Sequence, residues 1–98
     1  MNIVMSKDGT ALTVAPEGRL DTMTAPELEA ALKDALTGVE TLTFDLEKLE
    51  YISSAGLRVL LSAQKTMNNR GKMKVVRPNE MILEIFEVTG FSDILTIE

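Results

Sequence analysis

The 98-residue chain contains neither cysteine nor histidine. Without cysteine there are no disulfides and no thiolate metal sites. Without histidine the chain lacks the usual general base, the commonest metal ligand and the usual pH switch. Its serines therefore have no partner for a histidine-based catalytic triad. Basic residues are in the minority: 10 Lys and Arg stand against 15 Asp and Glu, giving a net charge of −5 that argues against nucleic acid as a partner. No apolar run approaches the roughly 18 residues of a membrane span, and Met1-Asn2-Ile3 opens no signal peptide. The expectation is a cytoplasmic protein with no direct membrane insertion. Low-complexity tracts, repeats and linkers are also missing. No segment has the glycine-rich spacing of a phosphate-binding loop, and no cofactor or metal ion is expected.

What is present is a regular alternation of strand and helix signals. A chain of this length forms one domain, here residues 1–98, and buries roughly 60–65% of its unfolded surface, enough for one modest core. Residues 2–6 read as a weak strand. Asp8-Gly9 supplies a hairpin turn, and Ala11 to Ala15 alternate with period 2. Pro16-Glu17-Gly18 interrupts or bulges that strand, which Arg19-Leu20-Asp21 brings to its end. Thr24-Ala25-Pro26-Glu27 fits a capping box, and Leu28, Ala31, Leu32, Ala35 and Leu36 form one apolar stripe, which predicts a helix near 24–37. Leu42, Phe44 and Leu46 alternate with polar residues as a strand. A second helix runs near 54–68, with Leu57, Leu60, Leu61 and Met67 inward and Arg58, Gln64 and Lys65 in solvent. Met73 to Arg77 is a short strand. Asn79 caps a third helix to about residue 89, and the tail from Phe91 to Ile97 folds back as a turn or edge strand. The order β-β-α-β-α-β-α predicts an α/β fold: a mixed, mostly parallel sheet of four or five strands packed by three or four helices. Loops after the carboxyl ends of parallel strands gather on one edge, where ligands and partners bind. Two such loops stand out, Asp21 to Thr24 and Glu50 to Gly56.

The stretch Asp45-Leu-Glu-Lys-Leu-Glu-Tyr-Ile-Ser-Ser-Ala-Gly-Leu57 carries the candidate chemistry. It reads as the end of a buried strand, a short loop and an abrupt helix start. Ser54 suits a helix cap, and also suits a phosphate, because free N–H groups and the helix dipole favour an anion there. Gly56 marks a tight loop-to-helix transition, or a close approach by a kinase or partner surface. Asp21 is either a loop carboxylate bonding neighbouring amides or a group on the same edge that orients the serine or a partner's basic side chain. Asp45 is expected to fix the loop by hydrogen bonding. Two carboxylates and a serine, with no histidine or metal cluster, make a poor hydrolase. A small hydrolytic or ligand-binding protein is nonetheless the reading from a different functional class.

Four segments in order resemble the STAS domain of bacterial anti-sigma factor antagonists, over nearly the whole chain. They are Gly18-Arg19-Leu20-Asp21, Asp45-Leu46 with Leu49-Glu50-Tyr51-Ile52, Ser53-Ser54-Ala55-Gly56-Leu57, and Thr89-Gly90-Phe91. The resemblance implies that the chain is not an enzyme and has no catalytic residues of its own. Its partner is an anti-sigma factor that is also a GHKL-type serine kinase. The unmodified antagonist binds this partner and frees a sigma factor; phosphorylation ends the binding, and a phosphatase acting on phosphoserine reverses it. The phosphoacceptor corresponds to Ser54. The partner-binding surface comprises Asp21, Thr22, Ser53, Ser54, Ala55, Gly56, Leu57 and Arg58. Many members carry aspartate directly before the acceptor. Here that position is Ser53, a second hydroxyl that competes with the first as acceptor. STAS domains also serve as regulatory subunits of membrane transporters or signalling complexes, which is the alternative role.

Overall fold

The computed structural model describes all 98 residues, Met1–Glu98. Strands β1 (Asn2–Asp8) and β2 (Ala11–Leu20) form the opening antiparallel hairpin, followed by helix α1 (Ala25–Ala35). Strands β3 (Thr41–Asp45) and β4 (Leu49–Ile52), helix α2 (Ser54–Asn68), strand β5 (Lys72–Val76) and helix α3 (Glu80–Thr89) complete the frame, and a 3-10 turn at Phe91–Asp93 leads into the tail. The sheet runs β1-β2-β3-β5, and β4 also pairs with β2. All its pairings except the first hairpin are parallel. The tail extends the sheet by one parallel bridge, Val75 to Ile97.

Sheet register explains which face is buried. Leu12 is paired with Leu42 and Leu42 with Met73, while Val14 is paired with Phe44 and Phe44 with Val75. All six side chains are buried. The alternate row, Thr13, Thr43 and Lys74, is only half-buried. The steps from β2 to β3, β5 and the tail move in one direction across the sheet. Right-handed crossovers therefore set α1, α2 and α3 on the same face. Leu28, Leu57, Leu60, Ile82 and Phe86 from these helices join the buried strand residues in a single apolar cluster of 23 residues. No helix is long and apolar enough to cross a membrane.

Three local expectations need correction. Residues 49–52 are not loop: they form β4, paired with the end of β2. Their burial order, inward at Leu49 and Ile52 with Glu50 outward, hides the period-2 signature of a strand. Of the two readings of Pro16 to Gly18, interruption or bulge, the bulge is the one found: β2 continues through a register shift between Gly18 and Arg19 and ends at Leu20 as expected. Gly18 takes φ +92° there, a conformation that glycine adopts without steric cost. The capping box of α1 does not form. The Thr24 hydroxyl donates to the Arg19 carbonyl at 2.8 Å, and the Glu27 carboxylate lies 3.4 Å from the chain's terminal amine. Gln64 is buried, its amide donating to Asn68 Oδ1 at 2.9 Å. By contrast, Asn79 caps α3 as its sequence position suggests, accepting from the Ile82 amide at 2.8 Å. Its side-chain amide also donates to the carbonyls of Leu49 and Glu50, tying α3 to β4.

The bend between β3 and β4 is held by Arg77, which has φ +56°. Its guanidinium bonds both Asp45 carboxylate oxygens and donates to Glu47 Oε2 at 3.0 Å. Asp45 Oδ1 also accepts from the Glu47 amide at 3.1 Å. Asp45 thus fixes the turn before β4 and acts on the serine loop through that strand. The Arg77 hydrogen bonds, and then the Glu47 amide, hold the Asp45 carboxyl below its ordinary range.

Two predictions follow from these contacts. A Cβ added at Gly56 would lie 2.7 Å from Leu20 Cγ and 2.7 Å from Ile52 Cγ1. What approaches this glycine is therefore the chain's own core. Overpacking of this kind costs about 1–3 kcal/mol, and only about 1 kcal/mol returns from better helix propensity. Gly56→Ala should lower the urea midpoint, and an unchanged or higher midpoint would contradict the packing. For Asp45, whose carboxyl titrates lower in the folded chain than in the unfolded one, the stabilisation is complete above the ordinary carboxylate range and is lost as pH falls through the folded-state value. Urea midpoints should therefore be flat from about pH 7 to 5 and fall below about pH 4, with a shallower fall in Asp45→Asn. Identical acid profiles for the two proteins would refute this role for Asp45.

Candidate functional site

The site begins with the short parallel ladder between β2 and β4. Arg19 pairs with Tyr51 and Leu20 with Ile52, and the Ser53 amide then donates to the Leu20 carbonyl at 2.9 Å. The two strands end together, so the loop after Leu20 and the start of α2 share one edge. Arg19 reinforces the ladder, its guanidinium lying 4.5 Å from the centroid of the Tyr51 ring.

The loop from Asp21 to Thr24 is held by its own first residue. Asp21 Oδ1 accepts from the amides of Met23 at 3.0 Å and Thr24 at 3.2 Å, and the Asp21 carbonyl accepts from the Ala25 amide at 2.8 Å. The Thr24 hydroxyl accepts from the Asp21 amide at 2.8 Å, which closes the turn. Asp21 thereby does what the missing capping box would have done for the entry into α1. The Thr24 amide chiefly, with the Met23 amide, the Thr24 hydroxyl and the Arg19 charge, keeps the Asp21 carboxyl below its usual range. It stays ionised at neutral pH and adds a fixed negative charge to the edge.

The start of α2 separates its two serines. Ser53, not Ser54, occupies the cap position, with extended backbone and no side-chain cap bond, and its Oγ is enclosed without a hydrogen-bond partner. Ser54 is the first residue of the helix and is exposed. Its first turn carries no acidic residue, and the amides of Ser54, Ala55 and Gly56 have no acceptor within the chain. That is the electrostatic setting in which a helix start favours an anion.

The eight residues singled out from sequence divide by exposure. Thr22, Ser54 and Arg58 are exposed, and Asp21, Ser53 and Ala55 are half-buried. Gly56 and Leu57 are buried and belong to the frame beneath the surface, not to the surface itself. The spacing of α2 accounts for this, since Gly56 lies against Leu20 and Ile52 and Leu57 joins the apolar cluster. Sequence reasoning overlooked Met23, which is 83% exposed on the loop that Asp21 rigidifies. Its only signal was its position outside the helical stripe of α1, since methionines elsewhere in the chain, such as Met67 and Met73, fill the core. Asp21 Oδ1 is engaged by the Met23 and Thr24 amides, and no group of three or more His, Cys, Asp or Glu side chains comes together as a metal site.

Comparison with known proteins gives one consistent picture. The family model for the STAS domain matches residues 2–98. The Bordetella bronchiseptica protein BtrV is 32% identical over 99 residues, covering 99% of this chain and 85% of its own. The anti-sigma-B factor antagonist of Listeria monocytogenes is 30% identical over 104 residues, covering 100% of this chain and 90% of its own. Among solved structures, an anti-sigma factor antagonist from Mycobacterium paratuberculosis superposes with a TM-score of 0.89 over 98% of this chain and 83% of that one, at 22% identity. The five-stranded, mostly parallel sheet covered by helices is thus a shared architecture, and this chain belongs to the STAS domain family.

Proposed function

We propose that this chain is an anti-sigma factor antagonist whose binding to an anti-sigma factor is switched by phosphorylation of Ser54. The observation that carries the reading is the contrast at the start of α2: Ser54 presents its hydroxyl on the exposed first turn, while Ser53 Oγ is enclosed. Relatives of nearly equal length are named as antagonists of this kind, which supports the choice over a transporter subunit or a hydrolase. The partner is an anti-sigma factor with GHKL-type serine kinase activity. In the transfer, Ser54 Oγ attacks the γ-phosphorus of the kinase's ATP and forms the new P–O bond. The bond to the β-phosphate oxygen breaks, ADP leaves, and the hydroxyl proton passes to a base on the kinase. The antagonist contributes only the acceptor and its placement. A phosphatase returns the hydroxyl by hydrolysis.

Unmodified, the edge offers a partner the exposed Thr22, Met23, Ser54 and Arg58. A phosphate adds about −1.5 to −2 charge at this point, next to the ionised Asp21, so a surface fitted to a neutral hydroxyl is repelled. Ser54 is not the cap of α2, so Ser54→Ala should change stability by no more than about 0.5 kcal/mol. This variant should bind the anti-sigma factor as wild type does, by titration calorimetry, and should gain no phosphate by intact mass after incubation with ATP and the kinase. Ser54→Asp should bind at least about tenfold more weakly. Phosphorylation of Ser54→Ala to the wild-type level would overturn the assignment.

A further inference from the structure

The chain has four arginines. Three are committed within the fold. Arg19 lies over Tyr51 with its Nε 3.8 Å from Asp21, Arg70 donates to the Leu36 carbonyl at 2.7 Å, and Arg77 binds Asp45 and Glu47. Arg58 alone makes no ion pair, hydrogen bond or aromatic contact, and it is exposed. It stands four residues after Ser54 on α2. Residues at this spacing lie one above the other on a helix surface, with Cβ atoms roughly 5–6 Å apart. The long arginine stem spans that gap, and a guanidinium can meet phosphate oxygens with two parallel N–H donors.

We propose that Arg58 is the intramolecular receptor for a phosphate on Ser54, pairing with it one turn along α2. This rests on Ser54 as the acceptor and adds a second component to the switch. In the unmodified chain Arg58 is free at the edge and available to a partner's acidic group. In the phosphorylated chain the same guanidinium turns to the phosphate, so modification withdraws a positive contact as well as adding a negative one. The pairing holds the phosphate on the helix without requiring the backbone to move. Arg58 is a positioning residue here, because it acts on the modified serine and takes no part in phosphoryl transfer.

The other charged side chains from elements meeting at this edge are Arg19 and Asp21 around the end of β2 and Glu50 on β4. Arg19 is the competing cation, but it is already engaged with Asp21 and Tyr51. The test uses full-length protein carrying genetically encoded phosphoserine at position 54, with the phosphate's second ionisation followed by phosphorus NMR. In the wild-type background that ionisation should lie below the value of about 6 typical of phosphoserine. Arg58→Gln should raise it by about 0.3 pH unit, and Arg19→Gln should leave it at the wild-type value. An Arg58→Gln protein that titrates as wild type, or a larger rise with Arg19→Gln, would overturn the proposal. Because the phosphate is built in, the outcome does not depend on a kinase choosing Ser54. A positive titration combined with a kinase that ignores Ser54 would refute the partner switch and leave the pairing intact.

Discussion

The short parallel ladder between Gly18–Leu20 and Leu49–Ile52 is the constraint on which the rest of the edge depends. Its hydrogen bonds are individually modest, about 0.5–1.5 kcal/mol each. Their effect is geometric. They end two strands together, so the Asp21 turn and the first turn of α2 leave the sheet side by side, linked by the Ser53 amide and the Leu20 carbonyl. Each support around the ladder preserves this register. Gly18 allows the bulge, Arg77 with Asp45 sets the bend before β4, and Asn79 anchors α3 to the carbonyls of Leu49 and Glu50. Gly56 lets α2 start directly against Leu20 and Ile52.

Within that frame, burial assigns the work. Gly56 and Leu57 are structural and face the core, Ser53 is the enclosed cap residue, and Ser54, Arg58, Thr22 and Met23 face outward. On the proposed reading, a phosphate on Ser54 would meet amide donors and a free arginine on the same helix, while a docking partner would meet the added charge and bulk. The chain supplies no long mobile loop at this edge: the turn is closed by three hydrogen bonds, from the Met23 and Thr24 amides to Asp21 Oδ1 and from the Asp21 amide to the Thr24 hydroxyl. On the proposed reading, a modification here acts by changing the surface and leaves the sheet as it is.

Much of this architecture is legible in the sequence where physical periodicities are clean. The stripe from Leu28 to Leu36 and the alternation of Leu42, Phe44 and Leu46 each identify an element, and helices between strands dictate parallel pairing. Strand β4 is not legible, because a four-residue strand with only its first and last residues buried carries no period. The Thr24–Glu27 capping signature is misleading for a reason of tertiary structure. Asp21 reaches the Thr24 amide first, and the chain terminus offers Glu27 a cation. The placement of a serine at the start of α2 is visible from the loop-to-helix transition, but which serine faces solvent depends on whether the helix begins at residue 54 or 55, a boundary that propensity does not resolve. The lone status of Arg58 is invisible in sequence, since it follows from where the other three arginines find their partners.

The central claim is that this edge is a switch on a rigid frame, and amide NMR of the unmodified and Ser54-phosphorylated chains tests it most directly. Shifts should be confined to residues near 20–24 and 50–60, with the amides of β1, of β2 before Gly18 and of α3 unmoved. Shifts spread through α3 and the opening hairpin would show a global rearrangement and contradict it.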